Sequence, residues 1–226
     1  MKSGYVTDER PIRNLAAVVL CGGQSSRMGI DKASADFGGE SLLQRVCRIT
    51  SAVASPVVAV ASSGQALPPL NRQITVLRDT QPGEGPLSAF YDAMLYLKKT
   101  AGSEFDPMTV WACTCDAPFV MTDVIRLLHN RLSANDALHA VAVRHAGQEN
   151  PFGAVYRGSS ALAVAQQLVT AGERRAMKLL TDCRTEFVDS EELRHVDPKL
   201  LSLQNVNTPS DLSTAREILR ESEFKG

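Results

Sequence analysis

Lys32, Arg27 and Asp116 are the side chains of this sequence best suited to chemistry on a phosphate. Arg27 and Lys32 lie in 20-LCGGQSSRMGIDK-32, a stretch that also carries Gly22, Gly23, Gly29 and the hydroxyls of Ser25 and Ser26. Glycines let backbone amides approach a ligand closely, and two cations in one loop need an anionic partner or solvent. Such a loop suits phosphates. It is not a Walker A loop, because Lys32 stands three residues past Gly29 and is followed by Ala33, and the glycine spacing does not fit G-x-G-x-x-G. For the glycines alone, a flexible Gly/Ser turn is the alternative.

Asp116, in 113-CTCDAPFV-120, is the matching carboxylate. Beside a cationic glycine loop it is placed to let a divalent metal bridge protein and phosphate oxygens, which makes it the metal candidate; its other reading is a cap or turn aspartate ahead of Pro118. Cys113 and Cys115 have no second cysteine pair or nearby histidine at ligand spacing, so they read as buried packing and not as a zinc site. In 78-RDTQPGEGPLSAF-90, Asp79 is able to accept hydrogen bonds from a base, with the Gly83–Gly85 backbone against its ring. Alone, that stretch is also an ordinary turn.

Each cluster follows an apolar run short enough to be a buried strand: Leu15–Cys21, Ile74–Leu77 and Met108–Cys113. Further runs fall at Val57–Ala61 and Ala137–Val143, and helical spacing appears at Leu42, Leu43, Val46 and Ile49, at Phe90, Met94 and Leu97, and at Val124, Leu127, Leu128 and Leu132. Strands alternating with helices predict an α/β fold, a mostly parallel sheet with helices on both faces. In such a sheet ligands bind beyond the carboxyl ends of the strands, where all three clusters stand. Later, Phe152–Tyr156 and Thr185–Val188 read as strands, Ser159–Val169 and Arg174–Thr181 as helices, and 207-NTPSDLSTAREIL-219 as a capped closing helix. No repeat or linker divides the chain, which predicts one domain over 14–226 after a flexible extension at 1–13.

Bulk properties narrow the partners. With 24 basic against 25 acidic residues, no general attraction to nucleic acid or anionic membrane is expected. The hydrophobic share of 44% suffices for a core, yet no run reaches the roughly 20 residues that span a bilayer. A polar start and five irregularly spaced cysteines point to thiols in a reducing, cytoplasmic compartment. His129, His139, His145 and His195 are scattered and read as surface or core.

Taken together, LCGGQSSRMGIDK, RDTQPGEGPL, CDAPF, NPFGAVY, GERRAMKLL and NVNTPSDL resemble, in order, the motifs of the MobA-like nucleotidyltransferases. The resemblance spans about residues 15 to 215. It implies a three-layer Rossmann-like nucleotidyltransferase fold and, for the guanylyl branch, Mg2+-dependent transfer of GMP from GTP to the phosphate of molybdopterin. Residue by residue, it implies nucleotide contacts at Leu20, Cys21, Gly22, Gly23, Lys32, Asp79, Gly85 and Asp116, with Mg2+ on Asp116 and phosphate neutralisation by Lys32 and Arg27. Asn205 and Asn207, with Arg174 and Arg175 of the GERR element, would face the pterin substrate. Transient contacts with cofactor-insertion and acceptor proteins belong to the same expectation.

Two positions depart from the family pattern. Val60 stands where an asparagine near the nucleotide is common, so a side-chain contact there is lost or moved to Ser62 or Ser63, and Ser88 and Ala89 replace a commoner Ala-Gly. A cytidylyl branch using CTP, a sugar- or polyol-phosphate nucleotidyltransferase and a non-catalytic nucleotide-binding adaptor are the competing readings. The D-K pair at Asp31–Lys32 and the N-V-N motif resemble the guanylyl branch.

Overall fold

The computed structural model describes residues 10–22, 31–79 and 83–223. In chain order the elements are β1 (Leu15–Leu20), β2 (Asp36–Phe37), β3 (Glu40–Ser41), α1 (Leu42–Ser51), β4 (Val57–Ala61), β5 (Ile74–Arg78), α2 (Pro86–Ala101), β6 (Thr109–Thr114), α3 (Thr122–Ser133), β7 (Ala140–His145), β8 (Gln148–Arg157), α4 (Gly158–Thr170), α5 (Met177–Asp182), β9 (Thr185–Asp189) and α6 (Pro209–Glu223). Their starts are set by local chemistry. Ser41 and Gln44 exchange side-chain and backbone bonds in a capping box that begins α1. Gly85, at φ 85°, hands the chain to Pro86 at the first position of α2.

The main sheet has the order β5-β4-β1-β6-β8-β7-β9. β5, β4, β1 and β6 pair in parallel, as do β7 and β9, whereas β8 runs antiparallel to both its neighbours. The mostly parallel sheet matches the sequence expectation; the reversal of β8 was not foreseen. It arises because Ala146 and Gly147 both adopt positive φ, 50° and 75°, and turn β7 back into a hairpin.

β1 is buried along its whole length, a state open only to a strand covered on both faces. Leu15, Ala17 and Val19 share a core with Leu43, Val46, Ile125 and Leu128 of α1 and α3. Ala16, Val18 and Leu20 face Phe90, Met94, Ala161 and Leu179 of α2, α4 and α5. Three layers result. A smaller core joins Phe37 and Phe119, whose rings meet edge to face at 5.6 Å, to Val206, Leu212 and Leu219 at the approach to α6. This packing carries the N-V-N segment to the end of β6, where the Val206 amide donates to the Asp116 carbonyl at 2.7 Å.

Of the residues expected as an extension, 1–9 lie outside the described residues. Ile12 packs against the core, and its amide donates to the Val53 carbonyl at 2.8 Å. The expected helix at Arg174 begins instead at Met177, so both arginines of the GERR element sit in the connection from α4.

Candidate active site

Strand order reverses between β1 and β6: the chain runs outward to β4 and β5 on one side and to β6 on the other. Beyond the carboxyl ends of β1, β4 and β5, on one side of this switch, lies a cavity of about 610 Å³, lined among others by Leu20, Gly22, Val60, Ser62, Asp79 and Gly85. Its shape depends on absent side chains. A Cβ on Gly22 would stand 2.8 Å from the Ser62 hydroxyl and 2.9 Å from the Ser62 backbone nitrogen, so a larger residue would force the β4 turn outward. Gly83 and Gly85, at φ 94° and 85°, form the opposite rim ahead of α2.

Charge enters from the next strand. The Cys115 amide donates to the Leu20 carbonyl at 3.0 Å, which sets Asp116 directly beside the strand end that lines the cavity. Asp116 Oδ1 accepts from Thr114 Oγ1 at 2.5 Å, and Oδ2 receives Lys32 Nζ at 3.2 Å. Lys32 Nζ also donates to Asn207 Oδ1 at 2.8 Å. Lys32 and Asp116 keep only 19% and 17% side-chain exposure, enough for a ligand to reach them but too little for water to screen them fully. Lys32 is presented by a single 3₁₀ turn, Lys32–Ser34, whose amide at Ala33 is capped by Asp31.

Two oxygens, one from Asp116 and one from Asn207, therefore converge on a single cation. Mg2+ in phosphate-transfer sites takes one or two protein carboxylates, with phosphates and waters completing the shell. The donor set fits that requirement. Among the described residues no group of three or more His, Cys, Asp or Glu is placed to hold a metal by protein ligands alone. Cys113 and Cys115 are buried, and burial pushes both thiols well above their ordinary pKa.

The remaining expected residues divide. Leu20, Gly22, Asp79 and Gly85 line the cavity, while Cys21 contributes its backbone and turns its thiol to the Val60 carbonyl at 3.1 Å. Burial raises that thiol to about 12. Gly23 and Arg27 lie outside the described residues. Ser62, and not Ser63, lines the cavity next to Val60, and Ala89 lines it where Ser88 is buried.

The four expected pterin residues do not share one place. Asn207 is on Lys32, and Asn205 lines a separate cavity of about 340 Å³ with Trp111, His145 and Asn150. Arg174 instead grips Glu84 through two bonds of 3.0 and 2.7 Å, and its carbonyl lies 3.4 Å from where a Cβ of Gly85 would be. It stands at the rim of the larger cavity. Arg175 is held by Glu173, whose carboxyl the Arg175 side chain and backbone lower to about 2.

Sequence reasoning missed Thr114, Glu84 and His145 at these places. Thr114 carried a signal, since a hydroxyl two residues before an aspartate at a strand end is a natural donor to it. His145 lies beside Asn205's cavity with its Nδ1 2.9 Å from Ser190 Oγ, a partner 45 residues away that no local pattern announces.

A mostly parallel sheet with a cavity beyond the ends of β1, β4 and β5, and a lysine, an aspartate and an asparagine meeting beside the end of β1, is an α/β arrangement suited to binding a nucleotide. The chain belongs to the family of the MobA-like NTP transferase domain, which matches residues 17–187. It is 37% identical over 201 residues to a probable molybdenum cofactor guanylyltransferase of Mycobacterium marinum, covering 88% of this chain and 92% of the relative. A protein of the same name from Mycobacterium tuberculosis is 36% identical over 200 residues, covering 88% and 91%. Among solved structures, molybdopterin-guanine dinucleotide biosynthesis protein A of Archaeoglobus fulgidus superposes with a TM-score of 0.72 at 23% identity, over 91% of this chain and 99% of that one. The 2-C-methyl-D-erythritol 4-phosphate cytidylyltransferase of Thermus thermophilus gives 0.63 at 16%, over 91% and 98%. These two establish the shared fold. Among the described residues no helix is long and apolar enough to cross a membrane.

Proposed function

We propose that this protein transfers GMP from GTP to the terminal phosphate of molybdopterin, forming the guanine dinucleotide cofactor and releasing pyrophosphate. The observation that carries the reading is the convergence of Lys32, Asp116 and Asn207 beside the end of β1, whose Leu20 lines the larger cavity. The names of the mycobacterial relatives support the choice of substrates.

The acceptor phosphate is already an ionised nucleophile, so attack on the α-phosphorus needs no side-chain base. It needs in-line alignment and charge neutralisation. In this reading the nucleotide lies across Leu20 and Gly22 with its base toward Asp79, whose carboxylate complements the two N–H donors on the edge of guanine. Cytosine offers a single amine there. Lys32 leaves Asp116 for the phosphates and stabilises the equatorial oxygens, with Arg27 assigned the departing pyrophosphate. Asp116 and Asn207 would hold Mg2+, which would neutralise phosphate charge as a Lewis acid. Asn205 faces the acceptor from the smaller cavity, and Arg174 acts at the nucleotide rim. Five buried, unpaired thiols suit a reducing cytoplasm, where transient contact with cofactor-insertion and acceptor proteins would deliver and collect the pterin.

The test is to offer purified protein molybdopterin with Mg-GTP or Mg-CTP and weigh the product. A GMP adduct with pyrophosphate release is expected. A CMP adduct would move the protein to the cytidylyl branch, and nucleotide binding without any adduct would make it an adaptor.

A further inference from the structure

Gln65 is joined by its side chain to both roots of the glycine-rich loop. Its Nε2 donates to the Cys21 carbonyl at 3.0 Å on the incoming side and to both oxygens of Asp31, at 3.0 and 2.9 Å, on the outgoing side. Its Oε1 accepts from the Ser62 amide at 3.0 Å. The backbone arranges this reach: Ser62–Gln65 is a tight turn closed by the Gln65 amide on the Ser62 carbonyl at 3.2 Å, with Gly64 at φ 73°. Arg78 Nη1 fixes the turn from β5 by donating to the carbonyls of Ser62 and Gln65, at 3.2 and 2.7 Å.

The chemistry of these partners admits only an amide. One end must supply two N–H donors to three oxygens, two of them on a carboxylate, and the other must accept a backbone N–H. Glutamate fails at the first end, and leucine or methionine at both. Asparagine is a methylene too short to span the same partners.

What Gln65 holds leads to the reacting groups in short steps. Asp31 is the cap of the 3₁₀ turn that presents Lys32, accepting the Ala33 amide at 2.9 Å, and Lys32 meets Asp116 and Asn207. Ser62, held at the other end of the amide, lines the nucleotide cavity. We infer that Gln65 is a positioning residue for nucleotidyl transfer: it clamps Cys21 to Asp31, fixes the turn that aims Lys32, and couples that turn to the wall of the base cavity. The inference rests on the transferase reading, and it predicts effects on Lys32 that burial or bulk packing would not produce.

The experiment compares wild type, Gln65→Leu and Gln65→Glu, each also in a Lys32→Ala background, with Mg-GTP and molybdopterin as substrates. Gln65→Leu is expected to lower kcat about tenfold or more, since a displacement near 1 Å of a group aimed at the reacting centre costs that much or more, and to change the KM for GTP less than kcat. Gln65→Glu, which keeps the length and the bond from Ser62 while setting a carboxylate against Asp31, is expected to lose at least as much. In the Lys32→Ala background neither substitution should lower turnover further, because the group being aimed is gone. Hydrogen exchange on the free protein supplies a readout independent of turnover: the Ala33 amide should exchange faster in both variants while the melting temperature stays near that of wild type. Unchanged kcat in either variant, an additional tenfold loss on top of Lys32→Ala, or unaltered exchange at Ala33 would each overturn the inference. If wild type makes no adduct, the function reading fails, and the exchange at Ala33 still decides whether Gln65 holds the turn.

Discussion

Lys32 and Asp116 come from positions 84 residues apart and meet at 3.2 Å beside the end of β1. An ammonium and a carboxylate held this closely, with Asn207 on the same ammonium, form a site that is neutral until an anion draws the lysine away. In the proposed reaction the pair keeps the cation in reserve for phosphate.

Replacing Asp116 with alanine is expected to abolish turnover while the fold remains. The carboxylate leaves, Thr114 loses its acceptor and Lys32 keeps Asn207 as its partner among the described residues. Pyrophosphate release should fall by about 100-fold or more, as when a preorganised charge contact is deleted. Near-normal release would remove the metal from Asp116.

For Lys32→Ala the expected loss of transition-state stabilisation is on the order of 3 kcal/mol, read from kcat/KM. A lysine that merely neutralises Asp116 would leave kcat/KM unchanged.

Arg174 and Asn205 should separate kinetically. Arg174 grips Glu84 next to Gly85 on the larger cavity, whereas Asn205 lines the smaller one. Arg174→Ala is expected to raise the KM for GTP several-fold and Asn205→Ala the KM for the pterin acceptor. The opposite pattern would exchange the two assignments.

Gly22→Ala tests the cavity wall. The new methyl would meet both the hydroxyl and the backbone nitrogen of Ser62 below 3 Å, and the backbone cannot rotate away. A loss of about 1–3 kcal/mol in denaturant-derived stability is expected, in line with overpacking. Wild-type stability would mean that the β4 turn yields.

Acid should loosen the hairpin that precedes α1. Arg48, hydrogen-bonded to Glu40, and Arg45 beside it hold the Glu40 carboxyl below its usual range. A depressed carboxyl contributes stability that is complete above the unfolded value near 4.3 and is lost as pH falls through the folded value. Arg48 is well exposed, so the contribution is about 0.5 kcal/mol. Between pH 5.5 and pH 3, Glu40→Gln should lose less stability than wild type by that amount; equal losses would show that the pair contributes nothing.

The strands were legible because burial on both faces leaves an unbroken apolar run, as Leu15–Leu20 and Val57–Ala61 show. Direction was not, since an apolar run reads the same either way; only the Ala146-Gly147 turn reveals that β8 runs backward. Lys32 and Asp116 were legible as opposite charges in the connections that follow β1 and β6. Their junction with Asn207 was not, because it spans 175 residues and depends on how α6 packs on Phe37 and Phe119. The partner of Arg174 was not legible for a related reason: an arginine pair announces an anion, and Glu84 supplies one from 90 residues away.

The bond from Val206 to the Asp116 carbonyl has a consequence for the order in which competence is acquired. A growing chain holds β1, β4, β5 and α2, and so the walls of the larger cavity, long before it reaches Asn207. Synthesis from the N-terminus therefore supplies the lining of the larger cavity first and Asn207 last. In the proposed reaction, a product clipped ahead of residue 205 is expected to bind GTP without turnover, because it keeps the lining of the larger cavity and lacks Asn207.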